Sequence, residues 1–129
     1  MTTEFIRETV AQYFKAGFTT AEIEYENKDT IDVSKRSLPY VKLNLRFTTN
    51  DQISFVPVRT RQRGAVQVDI YVKNGTGSKA AYTMADEISE LFKHKSISNI
   101  EFQTPKVLTP LDVVGWMRLT VRSPFYFDT

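Results

Sequence analysis

Three arginines at alternating positions are the sharpest charge feature of the sequence: Arg59, Arg61 and Arg63. In an extended backbone, alternate side chains face the same side, so the three guanidinium groups would point one way. Such a row suits contact with phosphates or with an acidic protein rim. An equally good interpretation is an exposed hairpin edge whose charge prevents pairing with another strand. No aromatic residues for base stacking lie between the arginines, which weakens a nucleic-acid role.

The run Ser123-Pro124-Phe125-Tyr126-Phe127 is a second candidate for contact with other proteins. It reads either as the tail of a last strand packed in the core or as an anchor on a neighbouring subunit. Pro124 should disrupt regular strand pairing, and Tyr and Phe are enriched in the centres of interfaces, so the second interpretation is favoured. The predicted assembly surface is therefore Arg59, Arg61, Arg63, Phe125, Tyr126 and Phe127.

Other residues with chemical potential favour structural roles. Gly75–Ala80 matches G-x-G-x-x-A between a predicted strand and helix, a pattern that lets a dinucleotide pyrophosphate reach a helix N-terminus. The preceding strand is half-polar and the βαβ context is missing, so a tight turn followed by a cap at Ser78 is the better interpretation. His94 is the one histidine and there is no cysteine, which leaves no metal site or catalytic triad. We predict no catalytic, cofactor-binding or metal-binding residues, and hence no enzyme.

Composition places the chain among ordinary globular proteins. Its 129 residues are 41% hydrophobic and 25% charged, and they predict one domain over residues 1–129. There is no apolar run long enough to cross a bilayer, and the first residues do not resemble a secretory signal. The net charge of +2 is too small to mark a nucleic-acid binder by itself.

The stretch Arg63–Phe92 is the expected centre of the fold. Its first half alternates, with Val66 to Val72 at every second position facing a core. After the Asn74–Gly77 turn the period changes to about 3.6, and an apolar face appears on a helix. That face carries Ala81, Ala85, Ile88 and Phe92.

The remaining segments complete a two-layer pattern. We predict a helix over 3–16, strands over 22–26, 40–48, 53–59, 100–103 and 115–127, a turn at Thr49–Asp51, and loops over 27–39 and 104–114. The order is α-β-β-β-β-α-β-β. It predicts an α+β fold, in which a mostly antiparallel or mixed sheet packs two amphipathic helices on one face.

Three stretches together resemble the tail terminator, or tail completion, proteins of long-tailed bacteriophages. The first is Arg61–Tyr71, an Arg-Gly step before a Q-V-D strand. The second is the Gly75–Gly77 turn and its helix, with an Ala85-Asp86 step. The third is Gly115–Arg118, which opens a closing strand.

The resemblance implies a structural virion protein without cofactors. Members of that family assemble as hexameric rings on the head-proximal end of the tail tube, stop its polymerisation and face the head–tail connector. The expected partners are thus other copies in a homo-hexamer, the major tail tube protein and the connector. No membrane and no specific nucleic acid is expected, although genome DNA would pass through the ring, and production would occur in the host cytoplasm. Another head–tail connector ring protein, a nucleic-acid-binding domain and a nucleotide-binding enzyme are the alternatives.

Overall fold

The computed structural model describes residues 2–25, 39–73, 75, 78–113 and 115–128. Within these ranges the elements are α1 (Thr2–Gly17), β1 (Glu22–Tyr25), β2 (Tyr40–Phe55), β3 (Val58–Lys73), α2 (Lys79–Phe92), β4 (Ser96–Ile97), β5 (Ile100–Phe102), β6 (Lys106–Val107), β7 (Leu111–Val113) and β8 (Trp116–Asp128). The predicted 27–39 loop lies outside the described residues except for Pro39, as do Asn74, Thr76 and Gly77 of the glycine turn.

The strands form one mixed sheet in the order β1-β2-β3-β8-β5-β4, and β6 and β7 also pair with β8. Strand β1 runs parallel to β2, and the other pairs are antiparallel. The α+β class is confirmed. The expected layer of two helices on one face is wrong as a description, because strands make up most of the structure and the sheet is mixed and curled.

Strands β2 and β3 are 16 residues each and form one long hairpin. The turn predicted at Thr49–Asp51 is wrong, because these residues continue the ladder: Thr49 pairs with Arg63 and Asp51 with Arg61. The hairpin closes instead at Val56 and Pro57. A proline there removes no ladder hydrogen bond, since its missing N–H lies in the turn.

Strand β8 connects most of the sheet. It pairs with β3 along one edge and with β5, β6 and β7 along the other, so the loop predicted over 104–114 contains two short strands. The expected disruption at Pro124 is also wrong. Pro124 stays in register with Ala65, and its carbonyl oxygen accepts a hydrogen bond from the backbone N–H of Gln103 at 2.9 Å.

The predicted apolar faces of both helices and of β3 meet in one buried cluster. Phe14 of α1 stacks between the rings of Phe18 and Phe92, at centroid distances of 5.1 and 6.0 Å. The Tyr13 hydroxyl donates to the carbonyl of Leu91 at 2.7 Å and ties α1 to α2. The predicted core residues that are buried include Ile6, Val10, Phe14, Val41, Leu43, Val66, Val68, Ile70, Val72, Ala81, Ala85, Ile88 and Phe92. Ser78 occupies the N-cap of α2, but its side chain makes no cap hydrogen bond.

The face of β3 opposite to this core also contains buried polar groups. The Thr120 hydroxyl on β8 donates to the Asp69 carboxylate at 2.7 Å, and both residues are only 6% exposed. Nearby, Tyr40 stacks on Tyr71 at 4.7 Å, and burial raises the pKa of Tyr71. The pairing of β3 with β8 thus brings Asp69 to a partner 51 positions away in the chain.

Candidate assembly surface

The arginine row lies on one face of β3. The strand runs from Val58 without an irregularity on its own side of the ladder, so its alternate residues Arg59, Arg61 and Arg63 face the same way. On the neighbouring strand, Arg61 pairs in register with Asp128, and Arg63 pairs with Tyr126. The three arginines therefore share a surface with the end of β8.

Arg61 is held by residues of its own chain. Its Nε and Nη2 atoms donate to Oδ1 and Oδ2 of Asp128 at 2.7 and 2.8 Å, and its guanidinium lies 4.2 Å from the centroid of the Tyr126 ring. The hydrogen bonds from Arg61 lower the pKa of Asp128, and the same bonds raise the pKa of Arg61. This two-pronged pair fixes the end of β8 to β3 and leaves Arg61 little capacity to bind a partner.

Arg59 and Arg63 differ from Arg61 because neither makes an ion pair with any residue that the structure describes. Both are exposed. Their positive charges also contribute to the lowered pKa of Asp128, behind the larger effect of Arg61. These two guanidinium groups are therefore available to carboxylates or phosphates outside the chain.

Arg63 lines a cleft of about 360 Å³ together with Lys106 of β6 and Arg122 of β8. Gln103 and Thr48 add polar groups to the lining, and no acidic residue is among the described residues that form it. The position follows from the sheet: Lys106 pairs in register with Arg122 on the strand next to β3. Three cations around one concave site favour an oxyanion, such as a carboxylate presented by another protein.

Gly64 lets β3 and β2 approach closely next to Arg63. A Cβ atom at this position would overlap the backbone carbonyl of Arg46 and lie 2.8 Å from Cζ of Phe125. No side chain fits there without a shift of the backbone. The Arg-Gly step thus combines an exposed cation with a position where only glycine packs.

The three aromatic residues of the predicted surface do not lie on one face of β8. Phe125 is 2% exposed and packs in the core against Phe102 and Phe47, at ring distances of 5.9 and 6.2 Å. We correct its assignment, because alternation along β8 turns Phe125 inward. Phe127 is half-buried on the same inner side, 5.7 Å from the ring of Phe5. Tyr126 alone lies on the face with the arginines.

A hairpin arm, residues 48–60, extends beyond the rest of the sheet. Strand β8 ends its pairing with β3 at Arg61, and β1 pairs with β2 only up to Leu43, so in the described residues the two strands of the arm pair only with each other. The tip carries large apolar side chains in water: Phe55 is 81% exposed, Val56 91% and Val58 69%. Ile53 is also exposed. An apolar tip on a projecting hairpin is typical of a contact made with another chain.

Sequence reasoning missed the arm, the Asp128 pair and the cations Lys106 and Arg122. The run Ile53-Ser54-Phe55-Val56-Pro57-Val58 holds the missed signal for the arm. Its apolar residues do not alternate, and they flank a proline, which indicates a turn rather than a half-buried strand. Lys106 and Arg122 lie 16 positions apart in the sequence, and only their pairing in the sheet joins them.

The one histidine, His94, lies in the described part of the chain just after α2. No group of three or more His, Cys, Asp or Glu residues in the described part could hold a metal ion. His94 is exposed, and its Nε2 lies 3.2 Å from the hydroxyl of Thr104. No described helix is long and apolar enough to cross a membrane.

A family model for phage tail terminator proteins matches residues 5–124. The chain belongs to this family. As a tail terminator family member it is a structural component of the phage tail. No curated protein matches the sequence significantly. A solved structure with 14% sequence identity covers 96% of this chain and 90% of its own, with a TM-score of 0.63. That likeness supports the fold alone.

Several residues of the stretches that carried the resemblance to tail terminators have structural roles. Gly64 is required by close packing, Asp69 accepts a hydrogen bond from Thr120, and Ala85 lies in the core. Trp116, in the closing strand, is buried edge-on against Tyr40 at 5.3 Å. These positions specify how the chain folds.

Proposed function

We propose that copies of this protein form a hexameric ring on the head-proximal end of the tail tube, stop tube polymerisation and present a surface to the head–tail connector. The observation that carries the proposal is the family match over residues 5–124. The protein would be made in the host cytoplasm and retained in the finished virion. Its partners are other copies of the chain, the tail tube protein and the connector.

The hairpin arm supports a role in assembly. Phe55, Val56 and Val58 gain about 1.5–3 kcal/mol each when fully buried, yet within their own chain they remain exposed. A two-stranded ribbon without further strands is also marginally stable in water. Contact with another protein surface would bury the apolar side chains and stabilise the two-stranded ribbon, so the arm is suited to docking.

The available cations support contact with acidic protein surfaces. Arg59 on the arm and the cleft formed by Arg63, Lys106 and Arg122 present positive charge without internal acidic partners among the described residues. Repetition of this charge around a ring concentrates the field at one end of the tube. Genome DNA would pass through such a ring without a sequence-specific contact, because cations that contact phosphates do not read sequence.

The test starts from the phage whose genome encodes this chain. The gene is deleted, and the protein is supplied from a plasmid in the host. Electron microscopy of the lysate measures tail length. We expect tubes of variable, excessive length without the protein, and tubes of uniform length with attached heads when it is supplied from a plasmid. Uniform tails in the deletion strain would overturn the proposal. Negative-stain images of the purified protein should show rings.

Two alternatives remain as outcomes of the same experiments. If the protein is a connector ring, a tag on it will label the head side of the joint, and the deletion strain will give tails of normal length that lack heads. If it is a nucleic-acid binder, duplex DNA will shift in a gel at physiological salt. We expect the tag at the end of the tube and no specific shift.

A further inference from the structure

We propose that the tip of the hairpin arm docks into an apolar cleft at the far end of β2 on a neighbouring copy of the same chain. This inference rests on the proposed function, because it names the contact that joins subunits in the ring. The cleft has a volume of about 890 Å³. It is lined by Thr19, Thr20, Ala21, Glu22, Pro39, Lys79, Ala80, Thr83 and Met84.

The cleft and the arm lie at opposite ends of one strand. Pro39 precedes the first residue of β2, and Glu22 pairs with Tyr40 at that end. Phe55 ends the same strand, which is 16 residues long and spans about 50 Å in extended backbone, and Val56 follows in the turn. The extended strand β2, paired with β3 along its length, separates the two sites, so an arm cannot reach its own cleft. Any contact between them joins two molecules.

The chemistry of the two sites matches. The tip offers Phe55, Val56 and Val58 to water, and the cleft offers Ala21, Ala80 and the edge of Met84 between threonine methyl groups. Its volume lies in the range of cavities that enclose small ligands, which is ample for a phenylalanine and a valine side chain.

The charges around the two sites are complementary as well. Arg59 is the one charged residue between Ile53 and Thr60, and it is exposed beside the tip. On the other side, Glu22 lines the cleft, Glu87 accepts a hydrogen bond from Thr20 at 2.6 Å, and Asp86 is exposed on α2 next to it. Among the described lining residues Lys79 is the one cation and Glu22 the one acid, so their charges balance. The negative charge beside the cleft comes from Asp86 and Glu87 of α2, and a positive tip complements it.

A second copy fits these observations better than a different partner does. A contact between two different patches of one chain is heterologous, and repetition of it gives either an open filament or a closed ring. This chain has both a projecting apolar patch and a receiving apolar cleft. One type of contact is then sufficient to build the entire ring.

Cysteine cross-linking tests the contact directly, since the chain has no native cysteine. The variant Val56→Cys/Ala80→Cys places one thiol on the tip and one in the cleft. Under mild oxidation we expect a ladder of covalent oligomers on a non-reducing gel. An equal mixture of the two single variants should stop at dimers, because each molecule then offers one of the two thiols. The control Val56→Cys/Ser98→Cys keeps the arm thiol and moves the other to an exposed turn near the arm end of the sheet. It should give no ladder.

The experiment is run on purified protein at high concentration and on particles from complemented phage. Absence of the Val56–Ala80 cross-link in both overturns the proposal, as does a ladder of equal strength from the control pair. Dimers of Val56→Cys alone in place of a ladder would show tips meeting each other, and cross-links to the tube protein would show a different occupant; each outcome also overturns it.

A second variant separates this inference from the proposed function. Val56→Asp changes a residue that is 91% exposed, so the melting temperature should stay within experimental error of the wild type. Self-association, measured by light scattering after size exclusion, should be lost. Normal tail length with this variant, together with no cross-link, would overturn the arm contact and leave the capping function standing. A strong cross-linked ladder, together with normal tail length in the deletion strain, would support the arm contact and overturn the capping function.

Discussion

The guanidinium of Arg61 donates two hydrogen bonds, of 2.7 and 2.8 Å, to the carboxylate of Asp128. The pair joins the end of β8 to the point on β3 where the hairpin arm leaves the sheet. The three arginines therefore have different roles. Arg61 stabilises the fold, whereas Arg59 and Arg63 remain available for binding.

The Arg61–Asp128 pair should give the protein a stability that falls at low pH. The pKa of Asp128 is lowered from its ordinary 3.8, so the contribution of the pair is complete above that value and disappears as pH falls through the lowered one. We expect Asp128→Asn to melt slightly below the wild type at pH 7, and the difference to close below pH 3.8. Asp112→Asn, at an exposed position on β7, is the control. A difference that persists unchanged at pH 2 would show that the pair is unimportant.

Charge reversal at the two available arginines should prevent assembly without unfolding the protein. Arg59→Glu/Arg63→Glu keeps the Arg61–Asp128 pair, and single exposed charges contribute only about 0–1 kcal/mol to stability. Circular dichroism should match the wild type, while complemented phage should lose control of tail length. The control Lys15→Glu/Lys93→Glu makes the same change in net charge at two exposed positions, one on α1 and one directly after α2. Uniform tails with the arginine variant would remove this surface from the mechanism.

Gly64→Ala should destabilise the fold by about 1–3 kcal/mol, the usual cost of overpacking a tight site. The added methyl group meets the backbone carbonyl of Arg46, which cannot rotate away. Gly17→Ala is the matched control. Its Cβ would lie 2.5 Å from Cδ1 of Leu91, the mobile end of a side chain, so a small change is expected. Chemical denaturation of both variants measures the difference, and equal stability would contradict the close approach seen here.

Ile88→Asp or Phe92→Asp should abolish soluble folding. Both side chains are fully buried, and an unpaired charge there costs several kcal/mol, comparable to the stability of a small domain. Tyr82→Asp lies on the same helix at an exposed position and should express normally. The fraction of soluble protein after expression is the measurement. Near-wild-type melting of either core variant would mean that the face of α2 is assigned incorrectly.

Thr120→Val should cost about 1–3 kcal/mol, because it leaves the buried Asp69 carboxylate without the hydroxyl that donates to it at 2.7 Å. Thr109→Val, at an exposed loop position, makes the same chemical change and should be close to neutral. Urea titration compares the two. If both variants unfold at the same concentration, the Asp69–Thr120 bond contributes nothing measurable.

Local patterns predicted the parts of the fold that bury one face. The 3.6-residue period of α2 and the alternation of Val66 and Val68 both lead directly to the core, because burial imposes those periods. The predictions from sequence were wrong where pairing with a neighbouring strand determines the backbone conformation. Thr49 to Asp51 are turn-forming residues, yet the ladder with Arg61 to Arg63 keeps them extended. Pro124 stays in a strand because its carbonyl still accepts from Gln103.

The candidate site shows the same division. Alternation alone placed Arg59, Arg61 and Arg63 on one face, as an extended β3 requires. Alternation could not show that Asp128 binds Arg61, or that Lys106 and Arg122 lie beside Arg63. Those contacts arise from pairing between segments that are distant in the sequence. Phe125 and Tyr126 were grouped as neighbours in sequence, but adjacent residues of a strand face opposite sides.

The pairing of β8 also sets the timing of folding. In chain order β8 follows every strand that it joins, namely β3, β5, β6 and β7. While the ribosome is still making the chain, the hairpin of β2 and β3 has already emerged, but the strand that connects it to the later ones has not. The sheet therefore closes only after synthesis reaches β8, and a prematurely released chain exposes the apolar edge of an unfinished sheet in place of a functional protein.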